Sequence, residues 1–145
     1  MNSAISNLVR AVRQPAVDTT TVVPRDRAAR RNSERRGRFA EWIAAACLIA
    51  KGYRILARRA RTPYGEIDIV AVRGTRVAFV EVKLRASLAA AQTSVGRRQA
   101  GRIARAAEHW AWRHPRYRNY RIGLDSIYLA NGVLPRHVSD NLQPF

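Results

Sequence analysis

Two acids and a lysine stand in stretches that otherwise read as buried strands: Asp68 in GEIDIV, and Glu81 and Lys83 in FVEVK. If Gly74 and Thr75 form a two-residue hairpin loop, glycine at the first central position suits a type II′ turn. Arg73 then faces Arg76, and counting back along both strands sets Asp68 opposite Glu81 and Glu66 opposite Lys83. Side chains directly opposite have Cβ atoms about 4.5–5.5 Å apart, where like charges destabilise unless something compensates. A divalent cation would compensate. Moving the loop to Thr75 and Arg76 pairs Asp68 with Lys83 instead, an ordinary cross-strand ion pair, and spacing alone leaves both registers open. In either register Asp68, Glu81 and Lys83 share one face, because residues two apart point the same way. Ile67, Ile69, Val80, Val82 and Leu84 form the opposite, buried face.

The elements that must hold these residues show in the pattern. From Ser33, a candidate N-cap, to Lys51 runs a helix of good formers ended by Gly52, and Glu41 is its only charged residue between Arg38 and Lys51. YRILARRAR alternates as a strand until TPYG ends it. GEIDIVAV and VAFVEVKL are the strongest strand patterns, joined by RGTR. A second helix is predicted from about Ser94 to Arg113, apolar through Val95, Ile103, Ala106, Ala107 and Trp110, with Arg97, Arg98, Arg102 and Arg105 on the other side. Pro115 stops it, and IGLDSIYLA is a last strand before a Gly/Pro-containing C-terminal segment. Helix, three strands, helix, strand predicts an α/β or α+β fold, a mixed sheet flanked by helices. Residues 1–32 mix Ser, Thr, Pro and Arg without periodicity and read as a disordered basic tail, leaving 33–145 as the domain.

The 145 residues carry 27 Lys and Arg against 10 Asp and Glu, a formal charge of +17, and only Lys51 and Lys83 are lysines. Such an excess points to a polyanionic partner, nucleic acid first, with a merely basic soluble surface as the alternative. Cys47 has no second cysteine for a disulfide or a metal spacing and reads as a small buried hydrophobe. No apolar run approaches the ~20 residues of a membrane span, and the start lacks a signal-peptide core, so a cytoplasmic protein without a membrane partner is expected. His109, His114 and His137 lie beside tryptophan, proline and arginine and read as surface or packing histidines.

An Asp on one strand followed by Glu-x-Lys on the next resembles the PD-(D/E)XK nuclease superfamily. GEID followed by FVEVKLR, with the GYRIL segment, the RRQAGRIARAA helix and the terminal PRH, is similar more narrowly to the YraN-type small bacterial proteins, from about Gly37 to the C-terminus. The resemblance implies a restriction-endonuclease-like core, also called Holliday-junction-resolvase-like: a helix, a three-stranded antiparallel unit, a crossover helix and a further strand. It implies that Asp68 and Glu81 are metal ligands together with the Val82 carbonyl, that Lys83 is the motif lysine, and that Glu41 is a third acid near the site. Mg²⁺ or Mn²⁺ is the implied cofactor; Mg²⁺ prefers carboxylates plus retained waters over an all-protein cage, so two or three acids suffice. Such an ion polarises a phosphoryl oxygen and acidifies a bound water, while Lys83 orients that water or neutralises developing charge. Gln99 and Arg98 fall where the family carries a polar or basic residue facing the site, and Arg85 suits phosphate contact; a solvated basic surface is the plainer reading of each. The role of Glu66 stays open.

Two positions depart from the family's pattern: Gly123 stands where arginine is usual, and Arg59 where asparagine is often found. The resemblance implies a Mg²⁺-dependent endonuclease acting on structured, for instance branched, DNA, and by analogy with junction-cutting enzymes a homodimer. The alternatives are a non-cleaving nucleic-acid-binding accessory protein on the same fold, and an RNA or ribosome binder that uses the arginines alone.

Overall fold

The computed structural model describes residues 24–85 and 96–142. Packing divides the chain between Asn32 and Ser33. Helix α1 spans Pro24–Ala50, so it opens well before the expected cap at Ser33. Proline suits the first helical position, and the RDRAARR run that follows is rich in strong helix formers. Residues 24–32, read from the sequence as part of the tail, are therefore helical; the rest of that tail lies outside the described residues. The far end of α1 is a Schellman motif: Gly52 (φ 85°) donates to Ile49 O at 2.9 Å and Tyr53 N–H to Leu48 O at 3.0 Å.

Strands β1 (Arg54–Thr62), β2 (Gly65–Arg73), β3 (Arg76–Leu84), β4 (Arg121–Leu129) and β5 (Arg136–Val138) form one sheet in sequence order. All neighbours are antiparallel except β3 and β4, which run parallel with α2 (Arg97–Arg113) between them in the chain. Among the described residues the fold is thus mixed α/β, two α-helices and a five-stranded mixed sheet. The short β5 was not foreseen. Residues 86–95 lie outside the described residues, and with them the expected start of the second helix at Ser94 and its apolar Val95.

Alternation along the strands feeds two cores. Ala40, Ala44, Ala45 and Leu48 of α1 bury against Ile69, Ala71, Ala78, Val80, Ile127 and Leu129; the alanines let the helix lie close to the sheet. The other face carries Val70, Val72, Val77, Phe79 and Leu124 against Ile103, Ala106, Ala107 and Trp110 of α2. Ile67, expected beside Ile69, joins this second core. Alternation therefore breaks at Asp68. The break has a cause in the neighbouring strand, where Leu56 is bulged and Arg59 takes a left-handed backbone at φ 51° between the Arg58–Ile69 and Ala60–Ile67 pairs. Among the described residues no helix is long and apolar enough to cross a membrane.

Candidate functional site

The β2–β3 loop is Gly74–Thr75, and Arg73 faces Arg76. Gly74 alone of the two has positive φ, the II′ pattern. The alternative loop at Thr75–Arg76 is excluded. The register holds from Arg73–Arg76 to Ile69–Val80, where β2 parts from β3. The expected direct opposition of Asp68 to Glu81 and of Glu66 to Lys83 is therefore not made by strand pairing. Instead the Val82 N–H, released from the ladder, donates to Asp68 Oδ2 at 2.7 Å. Glu66 turns to Arg59 Nε at 3.0 Å.

Glu81 and Lys83 follow Phe79 onto the face that α2 covers. Both are buried. Lys83 Nζ donates to Glu81 Oε1 at 2.9 Å, and Gln99 Nε2 donates to the same oxygen at 2.6 Å. Arg102, one turn further along α2, lies 3.7 Å from Glu81 Oε2 and donates to the Glu66 carbonyl at 3.1 Å. Gln99 thus reaches Glu81. Arg102 was read only as part of the polar side, although its spacing of three from Gln99 puts it in reach.

Glu41 is buried on α1, with Arg58 at 3.8 Å and Arg59 at 3.7 Å, too long for hydrogen bonds. Its Oε2 has no hydrogen-bond partner, nor has the Arg58 Nε. Asp68 is pushed up to about 7, first by burial, then by the charges of Glu81 and Glu41, against the pull of the Val82 N–H and Lys83. Among the described residues no cationic side chain stands within ion-pair distance of Asp68, and no three His, Cys, Asp or Glu side chains are gathered as a metal-ligand group. The carboxylates feel one another's charge without closing into a cluster.

Arg98 is exposed on the first turn of α2. Arg85 lies apart from the acids. It lines a cavity of about 580 Å³ with Arg36, Phe39, Leu84, Leu129 and Val133, and no acid contributes to that lining.

The two departures from the resembled pattern have structural reasons. Arg59 sits in the left-handed region that asparagine tolerates best among side chains after glycine. At Gly123 a Cβ would collide with the Arg76 guanidinium. Arg76 donates to Asp125 Oδ2 at 3.0 Å and Oδ1 at 2.6 Å, and to Asp140 Oδ1 at 2.9 Å. His137 Nε2 closes the group at 2.8 Å from Asp125 Oδ2, its ring edge-on to Tyr53. Strand β3 thus supplies a guanidinium to the aspartate of β4, and His137 is a packing histidine. His114 likewise stacks on Trp110 with centroids 3.7 Å apart.

The family model described as Uncharacterised protein family UPF0102 matches residues 40–127. A UPF0102 protein of Maricaulis maris is 52% identical over 111 residues, covering 75% of this chain and 86% of that protein. One from Nitrobacter winogradskyi is 55% identical over 102 residues, 70% and 86% of the two chains. One from Mesorhizobium japonicum is 45% identical over 116 residues, 80% and 93%. The family match spans Glu41, Asp68, Glu81, Lys83 and Gln99 together.

Proposed function

For this chain, which belongs to the UPF0102 family, we propose a metal-dependent endonuclease that hydrolyses phosphodiester bonds of DNA, branched DNA included. The fold is read as restriction-endonuclease-like and the site as PD-(D/E)XK-like, in the cytoplasm. The observation that carries the reading is an acid without a partner: Asp68 is held near 7 by burial, Glu81 and Glu41, with no cationic side chain in ion-pair distance among the described residues, beside a buried Glu41 oxygen that nothing hydrogen-bonds. A cation relieves both. Carboxylate donors with retained waters suit Mg²⁺ or Mn²⁺, which Asp68, Glu81 and Glu41 with the Val82 carbonyl would hold once drawn together from the open arrangement seen here. When bound, such an ion polarises a phosphoryl oxygen and acidifies a water. Lys83, 2.9 Å from Glu81, places positive charge where a phosphorane would develop negative charge, and Gln99 fixes the rotamer of Glu81. Arg98 and Arg85 offer phosphate contacts outside the acids.

A second reading, a non-cleaving nucleic-acid-binding protein on the same fold, is favoured by one observation: Glu81 is already engaged by Lys83, Gln99 and Arg102. Incubating wild type, Asp68→Asn and Lys83→Ala with branched, single-stranded and duplex DNA under Mg²⁺, Mn²⁺ or EDTA decides between them. The nuclease reading expects metal-dependent cutting that both substitutions abolish. Cutting that survives both replacements removes the site assignment, and tight, salt-sensitive binding without cutting supports the second reading.

A further inference from the structure

A row of side chains leads away from the acid pair along α2 and ends in exposed aromatic rings. Gln99 and Arg102 touch Glu81. Arg105, His109 and Trp112 continue at spacings of three and four, which keep them on one side of the helix. Tyr64, from the turn between β1 and β2, closes over the same side: its ring stands 6.1 Å from His109 and 5.9 Å from the Arg105 guanidinium. His109 in turn lies 6.3 Å from Trp112. The turn is held there by close packing, since Gly65 (φ 123°) has Arg102 Cδ at 3.3 Å from where a Cβ would sit. Trp112 is 77% exposed and Tyr64 46% exposed, so both residues leave surface open to solvent.

From Gln99 to Trp112 the helix rises about 20 Å. Phosphates alone would be served by arginines, and a duplex keeps its base faces stacked away from protein rings. Exposed rings interleaved with arginines instead suit unpaired bases, each stacked on an aromatic face while its phosphate meets a guanidinium. The charge of +17 sets the sign of the partner.

We infer that the Tyr64–His109–Trp112 side of α2, with Arg102 and Arg105, binds a single strand of DNA and guides it toward Glu81. This deepens the nuclease reading and rests on it for the identity of the partner: the substrate class becomes DNA with an unpaired strand running to the acids.

The test is fluorescence anisotropy on the full chain in EDTA, where nothing is cut. The probes are a labelled oligothymidylate of about 16 nucleotides, the matching oligouridylate and a duplex of similar length. Tyr64→Ala and Trp112→Ala are each expected to weaken oligothymidylate binding by about 5-fold to 150-fold, with duplex affinity moving by less than about twofold. Trp112→Phe keeps a ring and restores most of the loss. Because Trp112 is exposed, its variants keep the wild-type melting temperature, which circular dichroism checks. Unchanged oligothymidylate affinity in both alanine variants, an equal loss for duplex, or a preference for oligouridylate would overturn the inference. The metal-dependent cutting assay stands apart: loss of cutting with ring-dependent binding intact removes the nuclease reading alone, and intact cutting with ring-independent binding removes this one.

Discussion

At the residue scale, Asp68 couples the site to pH. Its carboxyl is raised from the ordinary carboxylate range to about 7 by burial first, then by Glu81 and Glu41. An acid whose folded pKa lies above its unfolded value binds more protons when folded, so stability falls as pH climbs from about 4 to about 7 and stays low beyond. Asp68→Asn keeps an oxygen for the Val82 N–H and removes the charge. In EDTA at about pH 8 it should unfold later than wild type by on the order of 2 kcal/mol, after solvent screening, and near pH 4 the two should converge. Denaturant melts at both pH values check this. An Asn variant weaker at high pH would mean the charge is favourably held, and the case for a missing cation would go with it. The sequence carried part of this geometry: a loop at Gly74–Thr75, one of the two that spacing left open, sets the register from Arg73–Arg76 to Ile69–Val80, but the counted opposition of Asp68 to Glu81 lies beyond it and is not made. It did not carry the partners. Lys83 meets Glu81 rather than Asp68 because β2 leaves β3 at Ile69, and the left-handed Arg59 that accompanies this break has no signature in strand alternation.

At the element scale, the parallel pair β3–β4 is clamped by a buried Arg76–Asp125 bridge, and Asp125 is fully buried. The strands themselves were legible from their apolar runs and bounding turns. Their partnership through Arg76 was not, because the two residues stand 49 apart with a helix between, and register can be counted only across a short loop. Gly123→Ala puts a methyl group into the guanidinium's place. Breaking a buried pair typically costs about 3–5 kcal/mol, and a loss of about 3 kcal/mol is expected in urea melts. A loss under about 1 kcal/mol would show that Arg76 has another berth. For Asp125, burial pushes the carboxyl up, but His137, Arg76 and the Asp140 N–H outweigh it and bring it down to about 2. A depressed carboxyl contributes stability that is complete above its unfolded pKa, near 4, and is lost as pH falls through about 2. Asp125→Asn should therefore shrink the gap between neutral and acid melting temperatures, with most of the loss seen at neutral pH.

At the scale of the whole molecule, the charge of +17 is a property that no single site uses up. Composition raises the expectation of a polyanionic partner, yet it carries no information on which arginines would meet its phosphates. The structure sorts them: Arg58, Arg59 and Arg76 stand against carboxylates, half-buried Arg102 stands between Glu81 and the open side of α2, and Arg97 and Arg98 are exposed at the start of α2, near Gln99. If DNA passes this end of the helix, each contact releases a counterion, and log Kd changes with log salt by about 0.7–0.9 per phosphate neutralised. Replacing both Arg97 and Arg98 by alanine should lower that slope by roughly 1.5 in EDTA titrations. It should leave the urea midpoint where it was, since neither side chain is buried. Lys83→Ala, by contrast, should change the midpoint more than the slope, because it strips a buried Glu81 of its ammonium partner. A reversal, with the Arg97/Arg98 variant unfolding early and the Lys83 variant carrying the salt dependence, would place the phosphate contacts in the interior of the site and make the exposed arginines of α2 bystanders.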